Sequence, residues 1–297
     1  MVVAGVMALV SSTGSGPSSP TSGSAGAASS RSTVHGADRT PAAAPAAAVE
    51  ALVTIPTSTF DRIGTGGEGA PFAVTAGQPP LGTGRRPRLV YEGAEYCPFC
   101  AVDRYALVAA LGRFGTFANL RVTASGDRDG DIPTFSFLDS RYTSRYVTFT
   151  PYEAADRLGQ VLQPVPPAVD QLFATYAGDP RAGTASRFGA GRWQQPGIPF
   201  VDLGNRYVVA GTSAGLAQVA SSGVLAGDRV GIVEVARAVR QPTSRLGERL
   251  GGTAFVVEAN YLSAGVCALD GGRPARVCAS GGVRAAGRAL AAVPPIR

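Results

Sequence analysis

The sequence predicts an α/β domain, on three observations. Leu89, Val90 and Tyr91 form a short β-favouring run after the breaker-rich residues 82–87, and the run feeds a helix-forming stretch from Pro98 to about Arg113. Strand-like segments rich in aromatic and β-branched residues recur at 119–123, 134–138, 142–149 and 197–209. Helix-forming stretches lie between or after them, at 153–162, 167–176, 230–239 and 246–262. At 297 residues and 45% hydrophobic, the chain can bury one full core once its low-complexity start is set aside.

Residues 1–48 read as an apolar leader remnant followed by a linker. Residues 2–10 are an apolar run, too short to span a bilayer, which takes about twenty residues. No basic segment precedes the run, and the small-residue site Ala25-Gly26-Ala27 lies too far downstream for an ordinary signal peptide. We therefore expect Met1 to lie inside a longer anchor segment, with the Ala/Ser/Gly/Pro tract as a flexible spacer. The alternative is a cytosolic tail with a chance apolar start. The folded domain is expected over 49–297, with 49–63 as a short lead-in helix or loop on its edge.

The chemistry is expected where the first strand runs into Cys97-Pro98-Phe99-Cys100. A strand ending near Gly93 and a proline just inside a helix start put Cys97 at or beside the N-cap. There its sulfur faces the unpaired N–H groups and the positive end of the helix dipole, which favour thiolate over thiol and make Cys97 the expected nucleophile. Cys100, nearly a turn deeper on the same face, can close a small disulfide ring and attack a mixed disulfide formed at Cys97, so it is the expected resolving thiol. The same spacing also serves as half of a zinc site or as a structural bridge.

The elements that follow carry fewer chemical signals. Residues 119–123 read as a second strand, and the loop 126–131 holds Asp127, Asp129 and Asp131 in alternation without the later Glu of a calcium loop, so no metal is expected there. Segments 134–138 and 142–149, on either side of Asp139-Ser140-Arg141, are consistent with a hairpin, and 153–162 and 167–176 with inserted helices. Residues 197–209 read as strand, Gly-Asn turn, strand, introduced by Ile198-Pro199, with Trp193 just upstream as a core or rim residue. Two further helices complete the fold. Cys267 and Cys278 flank a strong turn signal at 270–274, which favours a structural disulfide between them; a second redox pair and a four-cysteine zinc site are the alternatives.

Composition excludes several classes of function. All 27 basic residues are Arg, so there is no Schiff-base lysine and no phosphate-loop lysine, and the single histidine, His35, lies in the low-complexity tract. Ser-His-Asp and Cys-His catalysis are thereby set aside, as is a histidine-based metal centre. The net charge of +6 comes from scattered Arg without interleaved aromatics, so no nucleic-acid partner is expected.

The segment Ala94-Glu95-Tyr96-Cys97-Pro98-Phe99-Cys100 resembles the active site of the thioredoxin-like superfamily, with a glutaredoxin-type Pro-Phe between the cysteines and Tyr96 as the usual aromatic before the first. With Arg104-Tyr105-Ala106-Leu107, 113–117, 133–137, 199–207 and the later cysteines, the chain resembles a membrane-anchored family of thioredoxin-like domains of unknown function, over roughly residues 50–280. The resemblance implies a three-layer fold with a helical insertion at about 150–195 before a cis-proline strand, and a C-terminal helical extension. It places the cis-proline at Pro199, with Ile198 and Tyr96 lining the substrate groove. Pro133 has the same Ile-Pro dipeptide but comes too early in the strand order. Tyr91 stands where thioredoxins proper carry a buried carboxylate, as in glutaredoxin-like domains that lack it; its hydroxyl, a water or no dedicated base then serves Cys100.

The expected function is an extracytoplasmic thiol–disulfide oxidoreductase acting on cysteine-containing proteins, without cofactor, and with a membrane redox partner as a further expectation. The alternative is a redox-inert thioredoxin-fold binding or scaffold module with structural disulfides. Accessibility of Cys97 separates the two.

Overall fold

The computed structural model describes residues 41–83, 86–176 and 197–296. The expectations for the leader, for most of the linker, for His35 and for Trp193 fall outside the described residues. Within them the protein is α/β, with mixed sheets and about ten helices.

The largest sheet is built on the Arg86–Gly93 strand, whose Leu89, Val90 and Tyr91 are all fully buried. Both faces of this strand are covered, which is why the run is apolar throughout and does not alternate. Thr148–Glu153 lies parallel on one side, pairing Leu89 with Phe149 and Gly93 with Glu153. Phe200–Leu203 lies antiparallel to it, pairing Phe200 with Glu92, and Tyr207–Ala210 follows as its hairpin partner. The expected Gly-Asn turn closes that hairpin, with Gly204 and Asn205 at φ of 70° and 56°. Ala73–Thr75 and Pro295–Ile296 extend the same side.

The Pro98–Leu111 helix leaves the central strand and packs on the Gly252–Asp270 helix and on the Pro133–Ser136 strand. Tyr105 anchors that layer, its ring 5.3 Å from Phe135 and 5.6 Å from Phe255 in edge-to-face contact. The lead-in segment is more than the edge piece the sequence suggested. It forms the helices Ala46–Val53 and Thr57–Ile63, which bury Leu52 and Phe60 in the main core. The Arg113 guanidinium sits 4.0 Å above the Phe60 ring.

Three expectations are corrected. Residues 134–138 and 142–149 do not pair as a hairpin. Pro133–Ser136 is buried and pairs with Arg121–Ala124, while Arg141–Ser144 pairs with Gly115–Ala118, where the Tyr142 ring packs 4.8 Å from Phe117. Asp139, at φ 57°, turns the chain from one sheet to the other. The parallel neighbour of the central strand is accordingly Thr148–Glu153, and the strand expected at 119–123 belongs to the smaller sheet with Ala42–Ala43.

Residues 153–162 are not helical. Glu153 ends the parallel strand, and the Asp156 carboxylate then accepts the N–H groups of Leu158 and Gln160, a local turn that competes with helix formation. The expected helix at 246–262 is two helices, Arg245–Arg249 and Gly252–Asp270, separated by Gly251 at φ 70°. The second is long and apolar enough to cross a membrane by length and composition, yet 78% of its apolar window is buried inside the fold.

Candidate functional site

Cys97 is the N-cap of the Pro98–Leu111 helix. Its backbone is extended, Pro98 takes the first helical position, and its sulfur accepts the N–H of Cys100 at 3.2 Å. The cap is possible because the chain arrives through a turn in which the Cys97 N–H donates to the Ala94 carbonyl. Across the site, the Cys97 thiol donates to the Ile198 carbonyl at 3.9 Å, a sulfur-length contact between residues 101 positions apart. The Ile198–Pro199 bond is cis; Ile132–Pro133 is not among the cis bonds of the described residues.

The fold thus brings Tyr96, Cys97, Cys100, Ile198 and Pro199 to one place, where Ala94, Ala155 and Phe99 complete an apolar cluster. Both thiols are free. Cys97 is only 4% exposed and Cys100 not at all, so the attacking sulfur assigned from the sequence presents a narrow edge and not an open face. Burial pushes the Cys100 thiol well above its ordinary range, with the Arg104 guanidinium opposing that shift.

Two loops close around Tyr96. Its carbonyl accepts the Gly126 N–H at 2.9 Å, and burial raises its hydroxyl's pKa. The Asp-rich loop is tied down by Arg157, which reaches Asp127 at 2.6 Å, Asp131 at 2.5 Å and the Ser125 carbonyl. Among the described residues no group of His, Cys, Asp and Glu is arranged to hold a metal. The second loop is the turn after Glu153, which leaves Leu158 62% and Val161 70% exposed beside the site.

Beneath the cysteines lies a buried polar layer that the sequence reading did not find. Arg104 grips Glu153 with Nε and Nη2, and also donates to the Ala94 carbonyl, while Glu153 accepts the Phe137 N–H. Glu95 accepts from Thr123 and Ser136, and burial raises its pKa. Asp103 and Glu258 are buried carboxyls whose pKa values burial also raises. The available signal was charge at 103 and 104 inside the otherwise apolar 101–111 stretch. No partner could be assigned from sequence, because Glu153 and Glu258 are remote along the chain.

Cys267 and Cys278 are disulfide-bonded to each other, at the end of the Gly252–Asp270 helix and in the following short helix. They stand apart from the Cys97 cluster.

Fold and site together define an α/β protein with a Cys-Pro-Phe-Cys pair capping a helix that follows the central strand. The family described as Domain of unknown function (DUF929) matches residues 74–220. That span takes in Tyr96, both site cysteines, Ile198 and Pro199, and ends before the Cys267–Cys278 bridge. No curated protein and no solved structure matches the chain.

Proposed function

We propose that the protein is a thioredoxin-like thiol–disulfide oxidoreductase acting on cysteine-containing proteins outside the cytoplasm, folded as one domain that takes in the Ala42–Ala43 strand and the Ala46–Val53 helix ahead of the boundary expected at residue 49. The observation that carries this reading is the Cys97 sulfur at the helix N-cap, accepting the Cys100 N–H and facing the Ile198 carbonyl. A sulfur that caps the first helical turn beside the backbone of a cis X-Pro bond is placed to exchange with a disulfide laid along that backbone. The sheet supports the fold assignment: a parallel neighbour on one side of the central strand and an antiparallel hairpin on the other are what a thioredoxin-like sheet requires. Of the inserted segment at 150–195, the helix Pro167–Tyr176 fits the helical expectation.

In the reductive direction, the Cys97 thiolate attacks one sulfur of a substrate disulfide and releases the other as a thiolate, which takes a proton from solvent. Cys100 then loses its proton and attacks Cys97. The mixed disulfide breaks, the second substrate thiol is released, and the Cys97–Cys100 disulfide holds the two electrons' worth of oxidation. The oxidative direction is the reverse. Every bond in the sequence is between sulfurs, so no cofactor is needed. Tyr96, Ile198 and Pro199 form the rim that a substrate segment would touch. The Cys267–Cys278 bridge fits an oxidising compartment, in keeping with an anchored or secreted protein and a membrane redox partner.

The burial of Cys97 favours a second reading, a redox-inert binding module with the same fold. Reduction of a disulfide-bonded protein substrate, followed on nonreducing gels with iodoacetamide quenching, decides between them. The oxidoreductase reading requires turnover that disappears in Cys97→Ser. Equal activity in that variant and the parent rules the reading out.

A further inference from the structure

Resolution of a mixed disulfide requires the Cys100 thiol to lose a proton inside a wholly buried site, and Tyr91 supplies no carboxylate. Three acidic side chains lead away from that thiol. Asp103 lies three residues beyond Cys100 on the same helix face, buried, with Oδ1 3.5 Å from the Thr212 hydroxyl. Glu258 comes from the Gly252–Asp270 helix, which packs directly on the cysteine helix. Glu68 is only partly buried, and its carboxylate lies against Gly215, in the first turn of the Ala214–Ser221 helix, where a β-carbon would collide with it. Its backbone carbonyl is fixed by the Tyr261 hydroxyl at 2.7 Å.

The charges along this line act on one another in sequence. Burial raises the pKa of Asp103, Glu258 and Tyr261, and to that ionised Cys100 adds at Asp103, ionised Asp103 and Glu68 add at Glu258, and Glu68 adds at Tyr261. Asp103 Oδ2 and Glu258 Oε2 make no hydrogen bond among the described residues. Buried polar atoms are almost always satisfied, so an unpartnered oxygen on each of two facing acids marks a place where a proton resides or passes. The other titratable groups facing Asp103 are Arg104 on its own helix and Tyr91 on the central strand. The guanidinium holds Glu153 through Nε and Nη2 and has only donors, and the phenol is held neutral by burial. Neither therefore takes a proton from the thiol, although Arg104 Nη1 and the Tyr91 hydroxyl are also unpartnered among the described residues.

We infer that Asp103 accepts the proton of Cys100, and that Asp103, Glu258 and Glu68 form an acid chain carrying it from the core to the surface beside the Ala214–Ser221 helix. The step balances: the carboxylate of Asp103 becomes a carboxylic acid as Cys100 becomes a thiolate, and the same proton moves through Glu258 to Glu68 and into water. This rests on the proposed redox function. It adds a proton-accepting residue and an exit route to it.

Reaction of the reduced protein with excess Ellman's reagent separates the two. Attack by Cys97 releases one thionitrobenzoate in a phase that depends on reagent concentration, and attack by Cys100 releases the second in a phase that does not. Absence of the first phase in the parent overturns the redox function itself. With the first phase intact, Asp103→Asn should slow the second by about a hundredfold. It should also move the rise in rate from near pH 8, where burial places the Asp103 and Glu258 acids, to the higher pH at which the buried thiol ionises. Glu258→Gln and Glu68→Gln should slow the same phase and spare the first. An unchanged second phase and pH profile in Asp103→Asn overturns the proposal, and so does an unchanged second phase in both Glu258→Gln and Glu68→Gln. A purely structural role for these acids would lower the unfolding midpoint and leave the pH profile in place. If Asp103→Asn does not fold, partly exposed Glu68 still supplies a testable variant.

Discussion

Arg104 and Glu153 meet through two hydrogen bonds of 2.9 and 2.6 Å, with both side chains fully buried. The pair fastens the cysteine helix to the strand that runs parallel to the centre of the sheet. Its remaining bonds, to the Ala94 carbonyl and from the Phe137 N–H, set the height of the Cys97 turn above the sheet. The same guanidinium acts on Cys100, where its charge opposes the burial that keeps that thiol protonated.

Breaking this pair from one side should be costly. Glu153→Gln leaves Arg104 charged in a dry core, and the expected loss is about 3–5 kcal/mol in urea unfolding. Arg104→Met combined with Glu153→Leu should recover most of that loss, because two apolar side chains need no compensation. A double variant as unstable as Glu153→Gln would mean that the bonds to Ala94 and Phe137 carry the stability.

Cys100→Ser should convert the protein into a trap. Cys97 can still attack a substrate disulfide, but nothing releases the product, so mixed disulfides should accumulate on nonreducing gels and vanish with reductant. Cys97→Ser should trap nothing, because Cys100 is fully enclosed. Adducts of equal yield in both variants would mean that Cys100 meets the substrate as readily as the capping Cys97.

The bridge between Cys267 and Cys278 spans a separation of 11 residues. Replacing both by Ser should lower stability by about 3 kcal/mol on the chain-entropy account. The reaction of Cys97 with Ellman's reagent should be unaffected, since the bridge lies outside its cluster. Peptide mapping without reduction should link Cys267 to Cys278; a Cys267–Cys97 peptide would show exchange between the pairs.

The capping cysteine, the helix behind it and the strand–turn–strand at 197–209 were legible because each has a local cause: a proline at a helix start, a Gly-Asn turn between β-branched runs. What was not legible is non-local. Segments 134–138 and 142–149 each look like strands, yet their partners are chosen by burial and by Phe117 against Tyr142, which short-range pattern cannot reveal. Residues 153–162 have helical composition, and the Asp156 turn overrides it. The acids under the site were the largest omission. Asp103 and Glu258 are 155 positions apart by their numbers, and only the packing of two helices makes them neighbours.

Those acids also set the pH dependence of stability. Burial pushes Asp103 and Glu258 up to about 8, and Asp202, beneath the 203–207 turn, up to about 7. In the unfolded chain such carboxyls ionise near ~4. Between these limits the folded protein holds protons that the unfolded chain has lost, so stability falls as pH rises from about 4 to 8. The slope should not exceed about 1.4 kcal/mol per pH unit for each group. Asp202→Asn should remove the part that ends near pH 7, and Asp103→Asn or Glu258→Gln the part that extends to pH 8. Urea midpoints measured across this range check each contribution. A midpoint that stays level from about pH 5 to 8 in the parent protein would mean that the three carboxyls are ionised in the folded state, with partners for the oxygens that the structure leaves unpaired.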